Sequence, residues 1–71
     1  GILPVDTLAL HRAMARLGES SREVLTLYYF ENMGVKEISE ILSKSPDAVK
    51  VALFRARSEL KKIMEAIYEI R

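Results

Sequence analysis

With 71 residues, 49% of them hydrophobic and 30% charged, the chain has the size of one domain and a globular composition; disorder and a second core are excluded. It has no cysteine, so neither a disulfide framework nor a zinc knuckle supports the core, and a reducing setting is permitted. The net charge is only +1, yet residues 1–33 carry three arginines against four acids (net −1) while residues 44–62 carry six basic side chains against Asp47 and Glu59 (net +4). That gradient is the electrostatic footprint a polyanion would need on the last element.

The start "GILPV" lacks the charged and apolar parts of a signal peptide, and no apolar run reaches the roughly 20 residues that cross a bilayer, so the chain reads as soluble. Gly1 reads as a cloning remnant and the whole as a piece of a larger protein. The first helix is predicted between Asp6, a good N-cap that follows Pro4, and Gly18, with Leu8, Leu10, Met14 and Leu17 as its apolar positions. The second begins at Ser20, which forms a capping box with Glu23, and is apolar around much of its circumference through Val24, Leu25, Leu27, Tyr28 and Phe30. Such a helix belongs at the centre of the domain.

"NMG" (Asn32 to Gly34) breaks the pattern, and "VKEISEIL" restarts it for about two turns with Ile38, Ile41 and Leu42 on one face. After "SKS", three start signals coincide: Ser45 as N-cap, Pro46 as first helical residue and Asp47 as an acid at the positive end of the dipole. The final helix carries an apolar stripe of Val49, Leu53, Ala56, Leu60, Ile63, Ile67 and Ile70, about 36 Å long if roughly 24 residues are helical. At 100° per residue, Asp47, Lys50, Val51, Phe54 and Ser58 lie opposite that stripe and face outward. The fold class is therefore all-α: four helices, the last two forming a helix-turn-helix in which Ala48 and Val49 pack against Ile38 and Leu42 and a long C-terminal helix does the recognising.

On "REVLTLYYFENM" (Arg22 to Met33), "KEISEIL" (Lys36 to Leu42) and "SPDAVKVALFRARSEL" (Ser45 to Leu60), the chain is similar to region 4 of bacterial RNA polymerase sigma factors, above all the extracytoplasmic-function (ECF) group. The resemblance implies a cytoplasmic, non-enzymatic domain spanning residues 1–71 that binds the minus-35 promoter element and docks near the β flap of RNA polymerase. It needs no cofactor, and an anti-sigma factor is a further partner of that family. Carried over position by position, it assigns groove reading to Lys50, Val51, Phe54 and Arg55, phosphates to Lys36, Lys44 and Arg57, and places Ser45 and Asp47 at the DNA-facing start of the helix. The family usually has Gly, Thr, Ser and Arg where this chain has Asp47, Ala48, Val51 and Ala52. Those departures point to the alternative, a protein-interaction module on the same fold whose exposed Val51 and Phe54 meet a partner.

The remaining polar and aromatic residues invite plainer readings. Arg22 and Glu37 are placed to pair with each other; Arg55 is expected to grip a phosphate, the plainer alternative being an ion pair with Glu59 four residues on. Lys61 and Lys62 form a solvated face beyond the groove. Tyr28, Tyr29 and Phe30 are expected to fill the core rather than stack on bases. His11 has no ligand partner, and no nucleophile–base pair or glycine-rich phosphate loop suggests an enzyme.

Overall fold

A computed structural model describes residues 7–69 as four helices. They are α1 (Thr7–Arg16), α2 (Glu19–Leu25, continued by a π-helical segment, Thr26–Phe30), α3 (Val35–Leu42) and α4 (Pro46–Glu69). Gly1, Pro4, Asp6 and Ile70, which figure in the expectations above, lie outside the described residues. No strand occurs among the described residues, and no helix there is long and apolar enough to cross a membrane.

The long α4 packs against each of the other three helices. Its stripe residues Val49, Leu53 and Ala56 are buried and share one cluster with Met14, Leu17, Val24, Leu25 and Ile38. Val24, Leu25, Ile38 and Val49 are the largest side chains fully withdrawn from water, and each such burial contributes about 1.5–3 kcal/mol. Past Ala56 the stripe is covered less: Leu60, Ile63 and Ile67 are half-buried. The inward direction of α4 is thus set by its first half, the half that also carries the basic residues.

Several local expectations are corrected. Gly18, not Ser20, caps α2: its carbonyl accepts the Arg22 N–H at 3.0 Å, and Ser20 lies inside the first turn, so the Ser20–Glu23 box does not form. Capping two residues earlier places Glu19 at the positive end of the helix dipole. Arg22 does not pair with Glu37. Its guanidinium instead reaches the Ala15 carbonyl at 3.5 Å, one of the acceptors left open at the end of α1, while the Glu37 carboxylate accepts the Gly34 N–H at 3.2 Å at the start of α3.

At Thr26 the hydroxyl donates back to the Arg22 carbonyl at 2.7 Å, and the chain widens into the π turn, with the Glu31 N–H bonded to the Thr26 carbonyl at 3.0 Å. The wider turn shifts the facing of the aromatic run. Tyr28 is half-buried against the core, but Tyr29 and Phe30, expected inside, are both 52% exposed. Asn32 closes the segment with φ 56°, a conformation asparagine tolerates better than most residues.

In α3 the buried face is Ile38 and Ser39, with Leu42 half-buried; Ile41, expected beside them, points to solvent. Ser39 is tolerated inside because its hydroxyl donates to the Lys36 carbonyl at 2.6 Å. The turn after α3 closes with the Lys44 N–H on the Ser39 carbonyl (2.9 Å) and the Ser43 N–H on the Glu40 carbonyl (3.4 Å), the bond pair of a Schellman motif. Ser43 adopts φ 55°, ψ 45°, where glycine is usual.

Candidate nucleic-acid interface

The start of α4 forms as its residue types require. The Ser45 hydroxyl accepts the Ala48 N–H at 3.1 Å and the Ser45 carbonyl accepts the Val49 N–H at 3.0 Å; Pro46 opens the helix where a missing N–H costs nothing. With Val49, Leu53 and Ala56 held inward, Asp47, Lys50, Val51, Phe54, Arg55 and Ser58 are all exposed. Ala48 is exposed too, so Val49 alone of the two places this end of α4 in the core cluster with Ile38. The short α3, its tight turn and α4 make the helix-turn-helix the spacing suggested.

Lys44 in the turn and Arg55 on one flank of α4 border a groove of about 640 Å³ whose apolar floor includes Val24, Leu42 and Ala52. Ser20 and Ser21, at the start of α2, line the same groove; nothing in their local sequence pattern marks them as sharing it with Arg55. Lys36, in the first turn of α3, is exposed as well. Arg55 and Glu59 do not form the ion pair their spacing permits, which leaves the Arg55 guanidinium available to an external anion.

Arg57 stands apart. Two residues beyond Arg55, it projects from the other flank of α4, and its guanidinium lies 5.4 Å from the Tyr28 ring centroid and 5.6 Å from that of Tyr29. The two rings meet edge to face at 5.0 Å. A cation over two aromatic rings fastens the π segment to α4. His11 is exposed, and among the described residues no group of His, Cys, Asp or Glu could hold a metal ion.

Comparison with known proteins fits this geometry. The sequence matches the family described as Sigma-70, region 4, over residues 7–60. It is 46% identical over 48 residues to the ECF RNA polymerase sigma factor SigM of Bacillus subtilis, covering 68% of this chain and 29% of that protein. It is 38% identical over 60 residues to the RNA polymerase sigma factor YlaC of the same organism, covering 84% of this chain and 35% of YlaC. Against the ECF RNA polymerase sigma factor ShbA of Streptomyces griseus the identity is 34% over 64 residues, 90% of this chain and 34% of ShbA. The matched stretch thus spans about a third of the length of these relatives. No solved structure gives a significant match.

Proposed function

Since the chain belongs to the sigma-70 region 4 family, we propose that it is the promoter-recognition unit of an ECF-type sigma factor and lays the first half of α4 in the major groove of the minus-35 element. The observation that carries the reading is the orientation of α4: its buried stripe turns Lys50, Val51, Phe54 and Arg55 outward together. A helix of this diameter fits the major groove, and a helix-turn-helix presents the N-terminal part of its second helix to base edges.

In this arrangement Lys36, Lys44 and Arg55 hold phosphates on the two sides of the groove, and Lys50 reaches a phosphate or the acceptor edge of a guanine. Asp47 brings only acceptors, which suit the amino group of a cytosine and repel a phosphate, so it bears on position along the site rather than on affinity. Ser45 keeps its hydroxyl on Ala48 and sets the helix start; Arg57 keeps its tyrosines. Docking on the RNA polymerase β flap uses other surfaces of the domain, and its role is non-enzymatic, in transcription initiation.

The test is protection of promoter DNA by RNA polymerase carrying a sigma factor with this domain. Protection of the minus-35 region is expected, and Lys50→Glu, which places a negative charge in the groove, should remove it there. Undiminished protection with Lys50→Glu would overturn the placement of α4. A protein-interaction module without DNA affinity on this face would show instead as a complex that Phe54→Ala weakens and duplex DNA does not displace.

A further inference from the structure

We propose that Ser20 is a phosphorylation site whose phosphoserine folds into the groove beside α4 and takes Lys44 and Arg55 away from DNA. The inference rests on the promoter-binding reading and adds a regulated, DNA-releasing state to it. Ser20 and Ser21 line one groove of about 640 Å³ with Lys44 and Arg55, over apolar residues such as Val24 and Ala52. No carboxylate lines that groove: Glu19 and Glu23, the acids nearest Ser20 in sequence, and Asp47 on α4 all lie outside its wall. Two cations thus share a concave surface whose lining holds no counter-charge.

The two serines are also free of the task their position suggests. Gly18 caps α2 through its backbone, and among the described residues neither serine hydroxyl is held by a hydrogen bond. Ser20 is exposed and Ser21 half-buried, so Ser20 is the one an enzyme can reach. A protein kinase with ATP would supply the group. The Ser20 Oγ attacks the γ-phosphorus, the bond to the β-phosphate oxygen breaks, ADP leaves and the hydroxyl proton passes to the base of the kinase. The product carries about −1.5 to −2 charges at pH 7 and three acceptor oxygens, a match for one ammonium and one guanidinium. It offers Lys44 and Arg55 the chemistry they would meet on a DNA backbone, and as a tethered group it does so at high effective concentration.

The first part of the test needs no DNA. Phosphoserine is installed at position 20 of the 71-residue chain by amber suppression, and its phosphate is titrated by phosphorus NMR. The neighbouring cations should bring the titration below its ordinary value of about 6, and Lys44→Ala combined with Arg55→Ala should return it there. A titration at the ordinary value, or one that the two alanines do not move, overturns the groove contact whatever the domain binds. In the second part, RNA polymerase loaded with a sigma factor carrying this domain binds minus-35 duplex at several salt concentrations. The phosphoserine form should show a slope of log K against log salt about 1.8 shallower than wild type, two contacts at about 0.9 each, while Ser20→Ala keeps the wild-type slope. An unchanged slope in the phosphoserine form overturns the switch. Absence of minus-35 binding by the wild type overturns the promoter-binding reading and the switch with it, while the NMR titration still decides the groove contact. Phosphopeptide mass spectrometry of the native factor should place phosphate on Ser20; peptides unmodified there under every growth condition overturn the site.

Discussion

The division of labour between Arg55 and Arg57 can be measured through salt. Each phosphate neutralised by a protein cation releases condensed counterions, so log K falls with log salt at about 0.9 per contact. With Lys36, Lys44 and Arg55 on phosphates, the slope should be about −2.7, and raising salt from about 50 to about 200 mM should weaken binding about 40-fold. Arg55→Ala removes one contact; the slope falls to about −1.8 and the same change in salt should cost only about 12-fold. Arg57→Ala should leave the slope at its wild-type value, because the guanidinium is engaged with Tyr28 and Tyr29, and should instead lower thermal stability by about 0.5–1 kcal/mol. Fluorescence anisotropy on a selected duplex at several salt concentrations, with thermal melts of the same proteins, reads both quantities. Arg57→Ala flattening the slope as much as Arg55→Ala would refute the reasoning: the cation would then be leaving its rings for a phosphate. Equal slopes in all three proteins would remove Arg55 from the backbone contacts.

Two further predictions concern the scaffold. Ser43→Gly should stabilise the domain by about 1 kcal/mol, since Ser43 holds a left-handed conformation that costs a side-chain-bearing residue about that much; a lower denaturation midpoint in urea would show that its hydroxyl matters more than its backbone. Ile38→Ala, at a fully buried site, should cost about 2–5 kcal/mol, a large share of what a domain this small has, and should weaken DNA binding through loss of fold; an unchanged melt would mean the core does not close around α3 as described.

Helix α4 was legible in the sequence because its determinants are local and agree with one another. Ser45, Pro46 and Asp47 mark one start, and the alternating four- and three-residue spacing from Val49 onward allows one inward face. That is also why the exposed pair Val51 and Phe54 could be picked out before any contact was known. Signals resting on a single residue fared less well. Ser20 is as good a cap as Ser45 by type, yet the helix starts at Glu19, with Gly18 supplying only its backbone. Ile41 fits the apolar spacing of α3 as well as Leu42 does, yet only one side of so short a helix meets the core.

The aromatic run shows the limit of periodic reasoning. Counting 3.6 residues per turn assumes an unbroken α-helix, and the π turn from Thr26 to Phe30 breaks it, leaving Tyr28 against the core and turning Tyr29 and Phe30 outward. The ring contacts of Arg57 were not legible for a related reason: its partners lie far away in sequence, and only the packing of the π segment against α4 brings two rings beneath its guanidinium.

The sequence by itself determined the number of helices, the start and inward face of α4, and the basic character of the surface that face leaves exposed, because each follows from spacing, capping and charge within one segment. Only the tertiary structure decided which cation meets aromatic rings and which aromatics reach the surface. Those depend on where distant segments meet, and neither helical period nor residue type carries that information.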